Sequence, residues 1–129
     1  MKLRDKKGQS MVEFALILPL LVLLLMAILE FGNIFHSYLL ITYSSREGAR
    51  MGVVGHTDQQ VTTRIQDICS TLDGSQISIV IDPADPQYRT RGTPLTVKVD
   101  YNVTLFTPLV NTFLPDPFLI KARSVMRVE

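Results

Sequence analysis

The run from residue 14 to residue 29 reads Phe-Ala-Leu-Ile-Leu-Pro-Leu-Leu-Val-Leu-Leu-Leu-Met-Ala-Ile-Leu, with no charge and no polar side chain. As a helix it would be about 24 Å long at 1.5 Å per residue. A bilayer hydrocarbon core is about 30 Å thick, so the run is slightly short. Met11 and Val12 extend it on one side, and Phe31, Ile34 and Phe35 on the other. Local thinning of the bilayer or snorkelling of flanking residues absorbs the remainder. A helix buried in a soluble protein usually keeps one polar face, and here every face is apolar. Lys2, Arg4, Lys6 and Lys7 precede the run. Positive charge marks the cytoplasmic end of a span, so residues 1–8 are expected inside and the chain from Glu30 to Glu129 outside. Pro19 removes one backbone hydrogen bond and is expected to bend the helix, which neighbouring helices can accommodate.

Beyond Glu30, polar and apolar residues mix as in a soluble domain. From Glu30 onward nine Lys/Arg face ten Asp/Glu. That near balance gives no electrostatic footprint for nucleic acid. Cys69 is the only cysteine, so no intrachain disulfide and no Cys₂ or Cys₄ metal site can form within one chain. A small buried apolar side chain is the ordinary reading, with an intermolecular disulfide as the alternative. The expected organisation is a basic leader over 1–8, a transmembrane helix over 9–30 and an extracytoplasmic domain over 31–129.

An ordinary secretory signal has a 7–15-residue apolar region and then a small-residue cleavage site. Here the apolar run is longer. At its far end, Leu29-Glu30-Phe31-Gly32-Asn33 has no small residues at paired spacing. The helix is therefore expected to stay attached. The informative residues precede it: Gly8-Gln9-Ser10-Met11-Val12-Glu13-Phe14. Gly8 sits between the basic and apolar segments, and Glu13 opens the helix. A carboxylate at the entrance to lipid is costly and needs either a partner or an interfacial position. The helix dipole also favours an acid near an N-terminus, so an interfacial start marker is the plain alternative.

This arrangement resembles the leader of type IV pilins. That resemblance implies cutting after Gly8 by an aspartic prepilin peptidase on the cytoplasmic side, with the helix retained. Gln9 would become the new N-terminus and Glu13 the fifth residue of the mature chain. The role attributed to such a Glu is pairing with the α-amino group of a neighbouring subunit, which offsets a charge held in lipid. A longer resemblance is to the TadE-like family, minor pilins or pseudopilins of tight-adherence pilus systems. It is carried by residues 8–21 with Pro19 six residues beyond Glu13, by Glu30-Phe31-Gly32, by Ser45-Arg46-Glu47-Gly48-Ala49-Arg50, and more thinly by Ala122 to Glu129. It is close over residues 8–52 and thin from 53 to 118. It implies a pilin-like fold and a role in building or anchoring a thin adhesive pilus at the bacterial inner membrane. The implied partners are a prepilin peptidase, an inner-membrane assembly platform and other minor or major pilins. Gly8 and Gln9 would be the cleavage site, and Glu13 and Phe14 would serve assembly.

Past Glu30, the residues Ile34, Phe35, Tyr38, Leu39, Ile41 and Thr42 recur at roughly helical spacing, so the helix should continue. Ser44, Gly48 and Gly52 are four apart and form a small-residue ridge. Such a ridge permits close approach to a sheet of the same chain or to a partner helix. Thr57 or Asp58 can cap a second helix over Gln59 to Leu72, with Val61, Ile65, Ile68 and Leu72 on one face. Asp73-Gly74 reads as its stop. Strands are expected at Gln76 to Ile81, at Leu95 to Leu105 and at Leu119 to Val128 from their alternation and the Pro- and Gly-bearing turns between them. The result is an α+β domain with a roughly three-stranded antiparallel sheet. Phe106 to Phe118, apolar and bearing Pro108, Pro115 and Pro117, is either a core plug or a tip that meets membrane or a partner.

Nothing points to catalysis. No H-E-x-x-H, phosphate-binding or nucleophile-elbow pattern occurs. His36 and His56 read as an interfacial ring and a turn residue. Asp82, Asp85 and Asp100 match no calcium loop. No cofactor and no metal are expected. The competing reading to a processed pilin is an unprocessed single-pass binding module or envelope scaffold.

Overall fold

The computed structural model describes residues 3–108 and 110–129. Lys2 in the leader and Leu109 in the apolar connection lie outside the described residues, as do the side chains of Arg4 and Lys7. The fold is α+β, with a long N-terminal helix, a second helix and a three-stranded antiparallel sheet.

Helix α1 runs from Leu3 to Val53, about 77 Å at 1.5 Å per residue. It passes through Pro19 as one helix. Its end is set locally. Gly55 takes a positive φ of 93°, His56 N–H donates to the Met51 carbonyl at 3.3 Å, and Gly55 N–H to the Gly52 carbonyl at 3.4 Å. This left-handed cap satisfies carbonyls that the last turn would leave unpaired.

Helix α2 spans Asp58–Ile68. Thr57 is its cap. The Thr57 hydroxyl accepts from Gln60 N–H at 3.3 Å, and the Gln60 side chain accepts from Thr57 N–H at 3.0 Å. The helix stops earlier than the expected Leu72. Ser70 and Thr71 are weak helix formers, and Leu72 N–H turns back to the Cys69 carbonyl at 2.8 Å. Asp73 starts a short turn instead of closing the helix: its carboxylate accepts from Ser75 N–H and from the Ser75 hydroxyl, at 3.0 and 2.7 Å. Leu72 still packs against the core from outside the helix.

Strands β1 (Ile77–Asp82), β2 (Pro94–Val103) and β3 (Phe118–Arg127) form a meander with β2 in the centre. Ile77 pairs with Tyr101, Val103 with Phe118 and Pro94 with Arg127. Alternation sends Leu95, Val97, Val99, Tyr101 and Val103 of β2, with Ile120 and Ala122 of β3, to the face covered by the helices. Val61, Ile65 and Cys69 close over them. Each fully buried Val, Leu or Ile contributes about 1.5–3 kcal/mol of transfer free energy.

The helix and sheet are matched in length. Along α1, Glu30 meets Phe106 and Thr107, the Ser45 hydroxyl lies 3.1 Å from that of Ser124, and the Val53 carbonyl accepts from Glu129 N–H at 3.4 Å. Gly52 lies against Leu95. The stretch from Glu30 to Gly52 rises about 33 Å as helix, and Leu95 to Phe106 about 37 Å as extended chain. So α1 runs antiparallel to β2 and parallel to β3, with the 104–117 connection at the Glu30 end and the turns around Gly55 and Pro86 at the other.

Candidate functional site

The N-terminal half of α1 meets almost nothing of its own chain. Of the described side chains from Lys6 to Leu29, all are exposed except Ala27, which is half-buried. This part of the helix is long and apolar enough to cross a membrane once, with a mean hydropathy of 2.8 over its best window and none of that window buried.

Gly8 and Gln9 lie within this helix, and a side chain added at Gly8 would meet no atom within 4 Å. Glu13 is one turn on and exposed. Its carboxylate accepts from the Gln9 side-chain amide at 3.0 Å, the one hydrogen bond it receives among the described residues. An amide donor supplies a dipole and no countercharge, and among the described residues no cation pairs with Glu13. Phe14 is 61% exposed beside it. Gly8, Gln9, Glu13 and Phe14 thus cluster within two turns of one uncovered helix, and Pro19 follows about a turn and a half later.

The C-terminal half is covered on one side. Glu30, Ser37, Ile41, Ser44, Ser45, Gly48, Ala49 and Gly52 form its buried stripe. Ser44, Gly48 and Gly52 therefore lie against the chain's own domain. A Cβ on Gly48 would stand 2.7 Å from Ile65 Cδ1 and 3.3 Å from Val61 Cγ1, and one on Gly52 would collide with Leu95 Cδ2. The missing side chains are what let α2 and β2 approach this closely. Ser44 also lies by Cys69. Burial pushes the Cys69 thiol up from its ordinary value, and a hydrogen bond with Ser44 partly offsets this.

Two polar constellations join residues far apart in the sequence. The first is Glu30, 3% exposed. Its carboxylate accepts from Phe106 N–H at 3.1 Å, from Thr107 N–H at 3.0 Å and from the Thr107 hydroxyl at 2.9 Å. A buried carboxylate needs several donors, and these three supply them. The signal was available: Glu30 closes the uncharged run and, like Glu13, must find partners. The second is Arg89, whose guanidinium donates to both oxygens of Asp58 and, at 2.7 and 2.9 Å, to the Pro83 carbonyl. It ties the β1–β2 turn to the start of α2, and the Asp58 carboxylate raises the Arg89 pKa.

Among its described residues the apolar connection lies mostly outside the core. Leu105 and Thr107 are buried, but Phe106 is 77% and Phe113 86% exposed. His36 and His56 are exposed, and His56 Nδ1 lies 3.1 Å from the Met51 carbonyl in the α1 cap. Among the described residues no three His, Cys, Asp or Glu side chains gather as a metal site would require.

Residues 8–50 match the model of the TadE-like protein family. The match takes in Gly8, Glu13, Pro19, the apolar run, Glu30 and the Gly48 segment, and about a third of the chain. The family resemblance is thereby borne out over these residues. It supports a protein of a tight-adherence pilus system that meets other pilus components, in a family that is pilin-like and generally non-enzymatic. No curated protein and no solved structure matches the chain.

Proposed function

We propose that this chain is a minor pilin or pseudopilin of a tight-adherence pilus system, cut after Gly8 and retained in the bacterial inner membrane by residues 9–30. The observation that carries the reading is the family match across Gly8, Glu13 and a helix that its own domain leaves bare.

The chemistry runs from the helix outward. A peptidase must open the helix around its scissile bond, and Gly8 weakens the helix there by about 1 kcal/mol relative to Ala. Cutting after Gly8 puts a cationic α-amino group on Gln9, one turn from Glu13. That ammonium supplies the countercharge that the Gln9 amide does not. Donated to the Glu13 of a neighbouring copy or another pilin, it offsets the cost of holding a carboxylate in lipid, about 2.5–3.5 kcal/mol on insertion scales for an acid at a helix centre. Phe14 and the exposed leucines supply the packing area between helices. The domain over 31–129 faces the extracytoplasmic side and docks on other pilus components. The partners in this account are a prepilin peptidase, other minor or major pilins, an inner-membrane assembly platform and the bilayer.

Two substitutions separate processing from assembly. Gly8→Ala should accumulate the uncut chain on an immunoblot of membranes. Glu13→Ala should be cut normally and fail to co-purify with pilus components. Normal cutting of Gly8→Ala, or full assembly of Glu13→Ala, contradicts the proposal.

A further inference from the structure

We infer that the connection from Phe106 to Phe118 is a second membrane contact, held at the lipid surface by Glu30, with Phe106 and Phe113 entering the interfacial zone of the bilayer. The inference rests on the reading that α1 spans the membrane.

Three observations place the connection there. The uncharged run ends at Leu29, and its shortfall of about 6 Å against the hydrocarbon core corresponds to about four more helical residues. Glu30 therefore stands within a turn of the membrane boundary. Its buried carboxylate holds the backbone of Phe106 and Thr107 within hydrogen-bond distance, and Met26, Leu29, Glu30, Asn33, Phe106 and Thr107 line one hollow. The start of the connection is thus fixed to the helix at the lipid boundary. The next turn is built on it, since the Thr107 carbonyl accepts from Val110 N–H at 3.0 Å.

The composition suits lipid. Phe106 and Phe113 are 77% and 86% exposed, and Phe31 and Phe35 on the uncovered side of α1 are 64% and 62% exposed. Five of the chain's six phenylalanines stand in the connection or just past the end of the apolar run, all but Phe118 largely exposed. Large aromatics gain nothing from water, and an interfacial segment gains by burying them at the headgroup boundary. From 104 to 118 the one charged residue is Asp116, whose carboxylate accepts from the Asn111 side chain at 3.3 Å. The connection would widen the apolar band of a short span and fix how the domain stands on the membrane.

The chain contains no tryptophan, so single reporters are unambiguous. Phe106→Trp, Phe113→Trp, Leu21→Trp within the span and Tyr88→Trp at the far end of the domain are each placed in the full chain. They are reconstituted into phosphatidylcholine–phosphatidylglycerol vesicles carrying lipids brominated at shallow or deep positions. Trp at 106 and 113 should be quenched most by shallow bromines and several-fold less by acrylamide than Trp at 88. Trp at 21 should respond to deep bromines. Trp at 106 and 113 as open to acrylamide as at 88, with Trp at 21 lipid-quenched, overturns the inference and leaves the span standing. Trp at 106 shielded from acrylamide but untouched by brominated lipid makes the cover a protein, and also overturns it. Trp at 21 untouched by any brominated lipid removes the span, and the inference with it. Glu30→Ala in the Phe106→Trp chain should raise acrylamide quenching several-fold while Cys69 stays slow to label, showing a folded domain. Unchanged quenching refutes the role of Glu30.

Discussion

The two halves of α1 share one helix and differ in what covers them. Residues 14–29 are apolar on every side and almost untouched by the rest of the chain. Residues 30–53 carry mostly small or polar side chains on the side that is buried (serines, glycines, Ala49 and Glu30, with Ile41 and Val53 among them), and Phe31, Phe35, Tyr38, Leu39 and Tyr43 on the side that is not. Hydrophobicity and burial run in opposite directions along one element. The first half gets its apolar environment from a membrane or another helix. The second half packs where the sheet is close, and closeness there requires small side chains.

That contrast can be broken in three ways. The largest effect belongs to the core beneath the second half. Ile65→Ala removes a fully buried side chain and should cost the domain about 2–5 kcal/mol. Leu23→Ala, in the bare half, should leave domain stability unchanged. Cys69 is a built-in reporter, since its thiol is buried and shifted upward, so labelling waits on opening of the domain. Urea titration of the detergent-solubilised chain, read by thiol labelling, compares the two. Equal effects would erase the distinction between the halves.

Next is the same substitution at two glycines. Gly48→Leu drives a side chain into Ile65 and Val61 and should cost about 1–3 kcal/mol. Gly32 has open space around its Cα, so Gly32→Leu should be neutral or gain a few tenths from helix propensity. Thermal melts of the two variants check the sign.

The smallest effect is electrostatic. Glu47 accepts two hydrogen bonds from Arg50, at 2.8 and 3.0 Å, and these hold its pKa below the ordinary 4.5. A depressed carboxylate stabilises the fold above its unfolded pKa, and that stability is lost as pH falls through the lower folded value. Glu47→Gln should therefore match the parent at low pH and be slightly less stable at neutral pH, as melts across the acid range would read.

Much of the fold follows from patterns within short windows. The alternation of Ile77, Ile79 and Ile81 and of Leu95 to Val103, the Thr57 cap and the continuation of α1 are all local. The choice of face on α1 is not. Ile34, Phe35, Tyr38, Leu39 and Ile41 mark a helix by period, yet Ile41 is fully buried while Phe35, Tyr38 and Leu39 are mostly exposed, because the sheet selects for size as well as apolarity. Pairings across long separations were hidden for the same reason. Glu30 finds Phe106 and Thr107, and Asp58 finds Arg89, only once the helix lies along the sheet. In the N-terminal segment, Gly8 and Glu13 stand out because position alone makes them costly or conspicuous, and no folding is needed to see them.

The most direct test of the account is the identity of the N-terminal residue. The full chain would be extracted from membranes of cells with and without their prepilin peptidase, and its N-terminus read by mass spectrometry. A start at Gln9 only where the peptidase is present is the expected result, and it would direct attention to Glu13. A start at Met1 or Lys2 in both strains would contradict the pilin account and leave a single-pass anchor carrying a folded domain.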